Sequence, residues 1–241
     1  ASQLFTSMAA KLTITNCEGG IIGGGTVAES NTFRQGGVTG INAIAAYDNF
    51  GVTISKNIYE CNVLESTPTV VTSSRTIIPF VNIDQSGATQ VSGTATPNCT
   101  IELFYDDDCQ ACEGKVFIGS TTSNALGNWT YSGNFTGTVL ATATTGLGAT
   151  GQFSMPETDI TNVVVKHPSC GQTNGSITGV VITGGDGYMW RDRNGNIVSN
   201  SQDLLNVGAG QYIFYAKLGN NCIRFGGVFE LVENNTRNGG T

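Results

Sequence analysis

The side chains able to do chemistry are few. Seven cysteines, Cys17, Cys61, Cys99, Cys109, Cys112, Cys170 and Cys222, accompany a single histidine, His167. A structural zinc shell needs four Cys or His ligands in close pairs. Cys109 and Cys112 form one Cys-x-x-Cys, with no second pair and no histidine near them. That spacing also suits a thiol redox motif, but such motifs open a helix after a buried strand. Here the pair lies in the acidic, turn-like stretch 105–114, so a structural disulfide or plain thiols is the expectation. The odd cysteine count leaves at least one residue unpaired or bonded to another chain. Cysteine use on this scale favours an oxidising, extracellular setting.

The densest carboxylates are Asp106, Asp107 and Asp108, with Glu102 and Glu113 nearby. A hard cation such as calcium takes several oxygen ligands, and this loop could offer them. It lacks the spaced Asp-x-Asp-x-Asp-Gly pattern, so solvated loop charge is the stronger reading and calcium the weaker. No other cofactor is expected. Glycosidic chemistry needs two carboxylates facing one cleft, about 5–9.5 Å apart. Glu18, Glu29 and Glu60 could line one face of a coiled sheet, yet no Arg or Lys is positioned around them. No Gly-x-Ser-x-Gly is present for a nucleophile. The glycine run 19–25 leads into no helix and has no following Lys, which removes a phosphate cradle. His167 precedes Pro168 and reads as an exposed structural residue. Trp129, Trp190, Tyr188 and Tyr212 could stack on sugar rings, but they alternate with small residues, which assigns them to cores. The expectation is a protein without catalysis.

The elements around these residues must be strands. The 241 residues carry 11 Lys and Arg against 18 Asp and Glu, a net charge of −7, and only 12% are charged. That is half the roughly 25% of an average soluble domain. Such a chain offers no electrostatic footprint for nucleic acid or an anionic membrane. No apolar run approaches the roughly 20 residues of a spanning helix, so no membrane insertion is expected. A hydrophobic fraction of 39% is too high for disorder. Helical periodicity is nearly absent, whereas short β-branched and aromatic runs alternate with Gly, Asn and Asp clusters.

The spacing changes character twice and predicts three units. In residues 1–75, rungs such as Leu12-Thr-Ile14, Asn31-Thr-Phe33, Gly40-Ile41-Asn-Ala-Ile44 and Gly51-Val52-Thr-Ile54-Ser-Lys-Asn57-Ile58-Tyr59 recur without hairpin turns. Short inward-facing pairs between Gly and Asn corners suit stacked parallel coils, in which Asn can form ladders. These segments resemble the last coils of a right-handed parallel β-helix. Because about three coils are needed for stability, the reading implies continuation upstream.

Residues 76–156 hold seven candidate strands, at 76–83, 90–96, 100–105, 115–122, 128–132, 138–144 and 151–154, which suit an antiparallel sandwich. With its Gly127-Asn128-Trp129 step, this unit resembles bacterial Ig-like repeats of surface proteins. Residues 157–233 open on Cys170-Gly-Gln-Thr-Asn174-Gly175-Ser-Ile177 and nearly close on Gly219-Asn-Asn-Cys222. Between them stand Tyr188-Met-Trp190, the hairpin signal Asn194-Gly195 and Ala209-Gly-Gln-Tyr212. This string resembles the repeat of SprB-type surface adhesins of gliding Bacteroidetes. The resemblance implies a second sandwich with a Cys170–Cys222 disulfide, and export by the type IX pathway. Residues 234–241 read as a linker or tail.

The fold class expected is therefore all-β: a short parallel β-helix end followed by two antiparallel Ig-like β-sandwich modules. The function it implies is that of a secreted, cell-surface adhesin fragment serving as stalk and adhesive modules. Its partners would be polysaccharide or cell-surface glycan and neighbouring modules of the same long protein. Two rival readings are a subunit of an extracellular filament or sheath, and the non-catalytic tail of a carbohydrate-active enzyme.

Overall fold

The computed structural model describes residues 4–6, 12–34, 44–61, 70–74, 77–106 and 112–234. The rung at 40–43, Asp107, Asp108, Cys109 and the tail from 235 lie outside the described residues. Among the described residues the protein is all-β, with one short 3-10 turn at Val27–Glu29. Contacts divide it into two compact units, Ala1–Met155 with Leu218–Ile223, and Pro156–Lys217 with Arg224–Thr241. The boundary expected near residue 75 thus falls inside the first unit.

The first unit begins with eight short strands: β1 (Leu4–Thr6), β2 (Leu12–Thr15), β3 (Ile21–Gly23), β4 (Thr32–Arg34), β5 (Ile44–Asn49), β6 (Thr53–Ser55), β7 (Ile58–Glu60) and β8 (Val70–Ser74). All pair in parallel, in the orders β1–β4–β7, β2–β5–β8 and β3–β6, so the chain visits three sheets in rotation. Each return stacks like on like. Phe33 lies opposite Tyr59 and Arg34 opposite Glu60. The Phe33 and Tyr59 rings stack with centroids 5.5 Å apart and planes 13° from parallel. Asn31 donates from its backbone N and its Nδ2 to Asn57 Oδ1, each at 3.1 Å, across 26 residues of chain. Asn57 Nδ2 in turn donates to the Ile22 carbonyl at 2.8 Å. Asn57 is 1% exposed, so this amide satisfies backbone groups that water cannot reach. Corners at Asn16 and Lys56 take the left-handed conformation, with φ of 54° and 53°.

Six antiparallel strands follow: β9 (Val81–Ser86), β10 (Gln90–Ala95), β11 (Thr100–Asp106), β12 (Gly114–Thr122), β13 (Asn128–Ser132) and β14 (Val139–Thr144). They form the sheets β13–β10–β9 and β12–β11–β14. The seventh strand expected at 151–154 does not form. Gly151 N and Ser154 N do reach the carbonyls of Ala143 and Ala141, at 2.8 and 2.7 Å. However, the Ala141 amide donates to the Ser154 hydroxyl at 3.0 Å instead of to a carbonyl, so no ladder closes.

In β13–β10–β9 burial alternates, as a sheet with one wet face should. In β11 and β14 it does not: residues Ile101 to Phe104 and Val139 to Ala143 are all buried. Strands that are buried on both faces read as continuous apolar runs. By the two-residue period, Ile101 and Leu103 share a face with Ala141 and Ala143, and Glu102 and Phe104 share the other with Thr142 and Leu140. The second face meets the parallel strands. Phe104 packs edge-on to Phe153, and Phe153 edge-on to Tyr59. One buried cluster accordingly runs from Ile22, Phe33 and Tyr59 through Phe104 and Phe153 to Val91 and Trp129. The parallel strands and the antiparallel sheets thus share one core. Three-residue strands cannot cover their inner face alone, and the sheet beside them completes it.

The second unit holds β15 (Glu157–Asp159), β16 (Val164–Lys166), β17 (Gly175–Thr178), β18 (Val181–Thr183), β19 (Gly187–Asp192), β20 (Ile197–Ser199), β21 (Leu204–Val207), β22 (Gly210–Leu218) and β23 (Cys222–Leu231), the turn between the last two grouping with the first unit. Its sheets are β15–β18, β16–β17–β21 and β20–β19–β22–β23. Trp190 and Phe214 are fully buried between them with Ile177 and Leu204. Trp190 Nε1 donates to the Ser201 carbonyl at 3.0 Å, so its one polar atom is satisfied. The Asn194–Gly195 turn connects β19 to β20, with Gly195 at φ 86° and its N–H on the Asp192 carbonyl.

The buried Glu102 carboxylate is the polar tie in the first unit's shared core. Glu102→Ala should lower the unfolding free energy by about 3 kcal/mol, because it strands buried donors. Urea unfolding followed by Trp fluorescence checks this; a loss below about 0.5 kcal/mol would contradict the assigned role.

Candidate functional site

Chemistry-bearing side chains converge where the last parallel strands meet β11 and β12. Glu102 interrupts the apolar run of β11, and its side chain is 7% exposed. It accepts the Ser55 hydroxyl proton at 2.6 Å on Oε1 and the Lys56 backbone N–H at 3.1 Å on Oε2. Lys56 Nζ stands 3.7 Å from Oε1 and donates to the Gly25 carbonyl at 3.0 Å, lying 5.5 Å over the Phe117 ring. A left-handed corner costs a non-glycine residue about 1–2 kcal/mol. The carboxylate and the Gly25 carbonyl hold Lys56 in it from three sides.

Tyr59, fully enclosed beside this group, has its hydroxyl pushed far above the usual tyrosine range. Burial is the main cause, opposed by the hydrogen bond with Asn57 and reinforced by Glu102 and Glu113. It is a neutral structural phenol. The edge of β6 is covered by the loop after β14. Ile54 N donates to Thr150 Oγ1 at 2.9 Å, and Thr53 Oγ1 donates to the Gly148 carbonyl at 3.0 Å. A Cβ at Gly148 would crowd the Gly51 carbonyl at 2.8 Å, and its φ of 90° suits glycine alone.

The three carboxylates weighed for catalysis do different jobs. Glu29 accepts from Thr26 N at 3.1 Å and Thr26 Oγ1 at 3.3 Å, closing the 3-10 turn. Contrary to the expectation that no Arg or Lys stands around these carboxylates, Glu60 pairs with Arg34 and, at 3.1 Å, with Lys115. Glu18 is exposed and bridges to Phe50. The Lys115 hydrogen bond, followed by the Arg34 one, holds the Glu60 carboxyl below its usual range.

Of the calcium candidates, Asp106 ends β11 and accepts the Glu113 N–H on Oδ1 at 3.4 Å, while Asp107 and Asp108 lie outside the described residues. Among the described residues no group of three or more His, Cys, Asp and Glu side chains could hold a metal ion. No helix among them is long and apolar enough to cross a membrane. His167 is exposed, and its Nδ1 accepts the Val232 N–H at 3.3 Å.

The disulfide expectation is corrected. Cys222 bonds to Cys112, across 110 residues, and not to Cys170. Cys222 is 0% and Cys112 7% exposed, both in the first unit's core. Cys170 is exposed and reduced, with a hydrogen bond to Glu233 that raises its thiol above the usual range. Cys112 therefore does not pair with Cys109 either. Cys61 is disulfide-bonded, and the buried Cys99 thiol is raised by desolvation. Spacing offered no signal for Cys112–Cys222, since the two come together only through the fold.

No family model matches the chain, and no curated protein matches it. Among solved structures it is similar to a biofilm-associated protein, BSP domain, at 14% identity and a TM-score of 0.23. That likeness covers 66% of this chain and 30% of the other. It is also similar to the four N-terminal Ig domains of Dscam1 isoform 8.4, at 10% identity and a TM-score of 0.24. There it covers 68% of this chain and 49% of the other. The chain thus spans less than half the length of either.

Three measurements follow from the site. Non-reducing peptide mapping should recover Cys112 linked to Cys222 and Cys170 as a thiol that alkylates without reductant. Replacing the Cys112–Cys222 pair by serines should cost on the order of 4–5 kcal/mol, the loop-closure value for a span near 100 residues. Glu60 is lowered on folding, so its contribution is full above its unfolded pKa and is lost as pH falls through the folded value. Melting temperature should therefore fall from about pH 5 downward. Asp159 and Asp192 are lowered too, chiefly by Thr161 and Asn196, so the readout is wild type minus Glu60→Gln. That difference should shrink with acid; a constant difference would remove Glu60 from the account.

Proposed function

We propose that this chain is part of a secreted, cell-surface adhesin, in which it serves as stalk and adhesive modules without catalysis. The observation that carries this reading is the double burial of β11 and β14, which ties the parallel strands and the antiparallel sheets into one core. A segment that transmits tension benefits when its elements yield together and not one at a time. The rotation of the chain through three parallel sheets supports reading β1–β8 as the closing coils of a parallel β-helix. The six strands β9–β14 then read as an Ig-like sandwich, and the second unit as a repeat of the gliding-adhesin type with type IX export. The buried Cys112–Cys222 bond supports an oxidising, extracellular location. The committed carboxylates Glu29, Glu60 and Glu102 support a binding role over an enzymatic one. A surface with few charges suits hydrogen-bonded contact with polysaccharide or with neighbouring modules of a longer protein.

Beads carrying the chain should be retained under shear on films of cellulose, chitin or dextran, and release no new reducing ends from them. Retention no better than that of albumin-coated beads on every film would overturn the adhesive reading. Release of reducing ends would overturn the non-catalytic one.

A further inference from the structure

We propose that the Cys112–Cys222 disulfide is a mechanical clamp that keeps residues 113–221 out of the path of tension, and that it opens to external thiols only after the core around it has been pulled apart. The bond spans 110 residues. A force entering the chain ahead of Cys112 and leaving it beyond Cys222 crosses the two sulfurs, so the loop between them is bypassed. That loop contains β12, β13 and β14 and, in the second unit, β15 to β22. The parallel strands β1 to β7 lie ahead of the clamp, and β23, which starts at Cys222 itself, lies behind it. The clamp rests on the adhesin reading for its source of tension, while its geometry is tested without it.

The strands that take the load are gripped by a loop that does not. In β6, Ile54 N donates to Thr150 Oγ1 and Thr53 Oγ1 to the Gly148 carbonyl. In β7, Glu60 pairs with Lys115, and the Tyr59 ring meets Phe153 edge-on. Lys115, Gly148, Thr150 and Phe153 all belong to the bypassed loop. Behind the clamp, β23 pairs with β22, which ends inside the loop as well. Tension therefore pulls β6, β7 and β23 against partners that the disulfide keeps from extending with them.

Burial gates the reduction of this bond. Cys112 and Cys222 are both buried, in the cluster that also holds Ile54, Tyr59, Phe104 and Phe153. Exchange requires a thiolate to reach one of the sulfurs, and an enclosed sulfur admits none. Cys99 shares the cluster, but burial raises its thiol, which leaves little thiolate to attack from within. Once tension has drawn β6 and β7 away, the cluster is broken and an external dithiol gains access. Its first thiolate bonds to one cysteine sulfur and expels the other as a thiolate. Its second thiolate then closes the reagent's own disulfide and frees the first cysteine. The pair gains two electrons and two protons and ends as two thiols, and the dithiol ends oxidised. The loop now joins the load path, and 110 residues at about 3.3–3.6 Å each add about 36–40 nm.

The test is single-molecule force spectroscopy of the full chain, held by its two ends, with dithiothreitol as the external dithiol. Without it, the fully extended wild type should be about 36–40 nm shorter than Cys112→Ser/Cys222→Ser, a length that does not depend on whether the variant folds. With it, the wild type should gain a step of that size after a first extension, and the variant should lack the step. Cys61 is also disulfide-bonded, and any step it contributes remains in the variant and is read there. In bulk, alkylation followed by mass spectrometry should find Cys112 and Cys222 reduced at least about tenfold more slowly in the folded wild type than in urea. Equal extended lengths without dithiol would remove the clamp. A step of another size, a step that precedes any extension, or equal reduction rates in buffer and urea would each overturn the proposal. If the clamp holds but the beads are retained on no film, the adhesin reading alone fails. If the beads are retained but the lengths are equal, the clamp alone fails.

Discussion

In the sheet β12–β11–β14 the strands β11 and β14 are buried on both faces, and this double burial is the constraint on which the first unit depends. An antiparallel sheet ordinarily keeps one face wet and needs only one apolar set of side chains. Here Ile101 and Leu103 serve one neighbour, and Glu102 and Phe104 the other. Burying a large apolar side chain contributes about 1.5–3 kcal/mol, so Phe104, Phe153, Phe33 and Tyr59 together form a substantial seam. The parallel strands draw on that seam because three-residue rungs leave too little apolar surface of their own.

A polar tie is fitted into the same seam. An unpaired carboxylate in such surroundings would be costly, and Glu102 avoids that cost by accepting from Ser55 and from the Lys56 backbone while facing the Lys56 ammonium. These bonds are directional, whereas the aromatic contacts around them are not. They select one register of the coil corner against the sheet, and the strained Lys56 backbone is held as a consequence. The loop at Gly148 and Thr150 does for the edge of β6 what Glu102 does for its corner, covering donors that would otherwise invite another strand.

The same economy separates interior from surface. Glu29 and Glu60, two of the three carboxylates weighed for catalysis, are engaged in a turn and in ion pairs, and the two tryptophans are buried.

Much of the fold was legible in the sequence. The all-β class, the strands β10 to β14, the Asn194–Gly195 hairpin and the buried tryptophans follow from period-two patterns and turn chemistry that act over a few residues. The stacking of Asn31 on Asn57 and Phe33 on Tyr59 follows from the repeat that places them in register. The tertiary structure alone decided which thiol meets Cys222, because several cysteines compete and only the folded core brings Cys112 to it. It also decided that Glu102 belongs to the interior, since an acid within an apolar run is ambiguous until its partners are known. Likewise, the ladder lost at 151–154 turns on one serine hydroxyl replacing a carbonyl. Local conformation is written in neighbouring side chains, whereas pairing across a hundred residues is settled by which contacts can be satisfied at once in three dimensions.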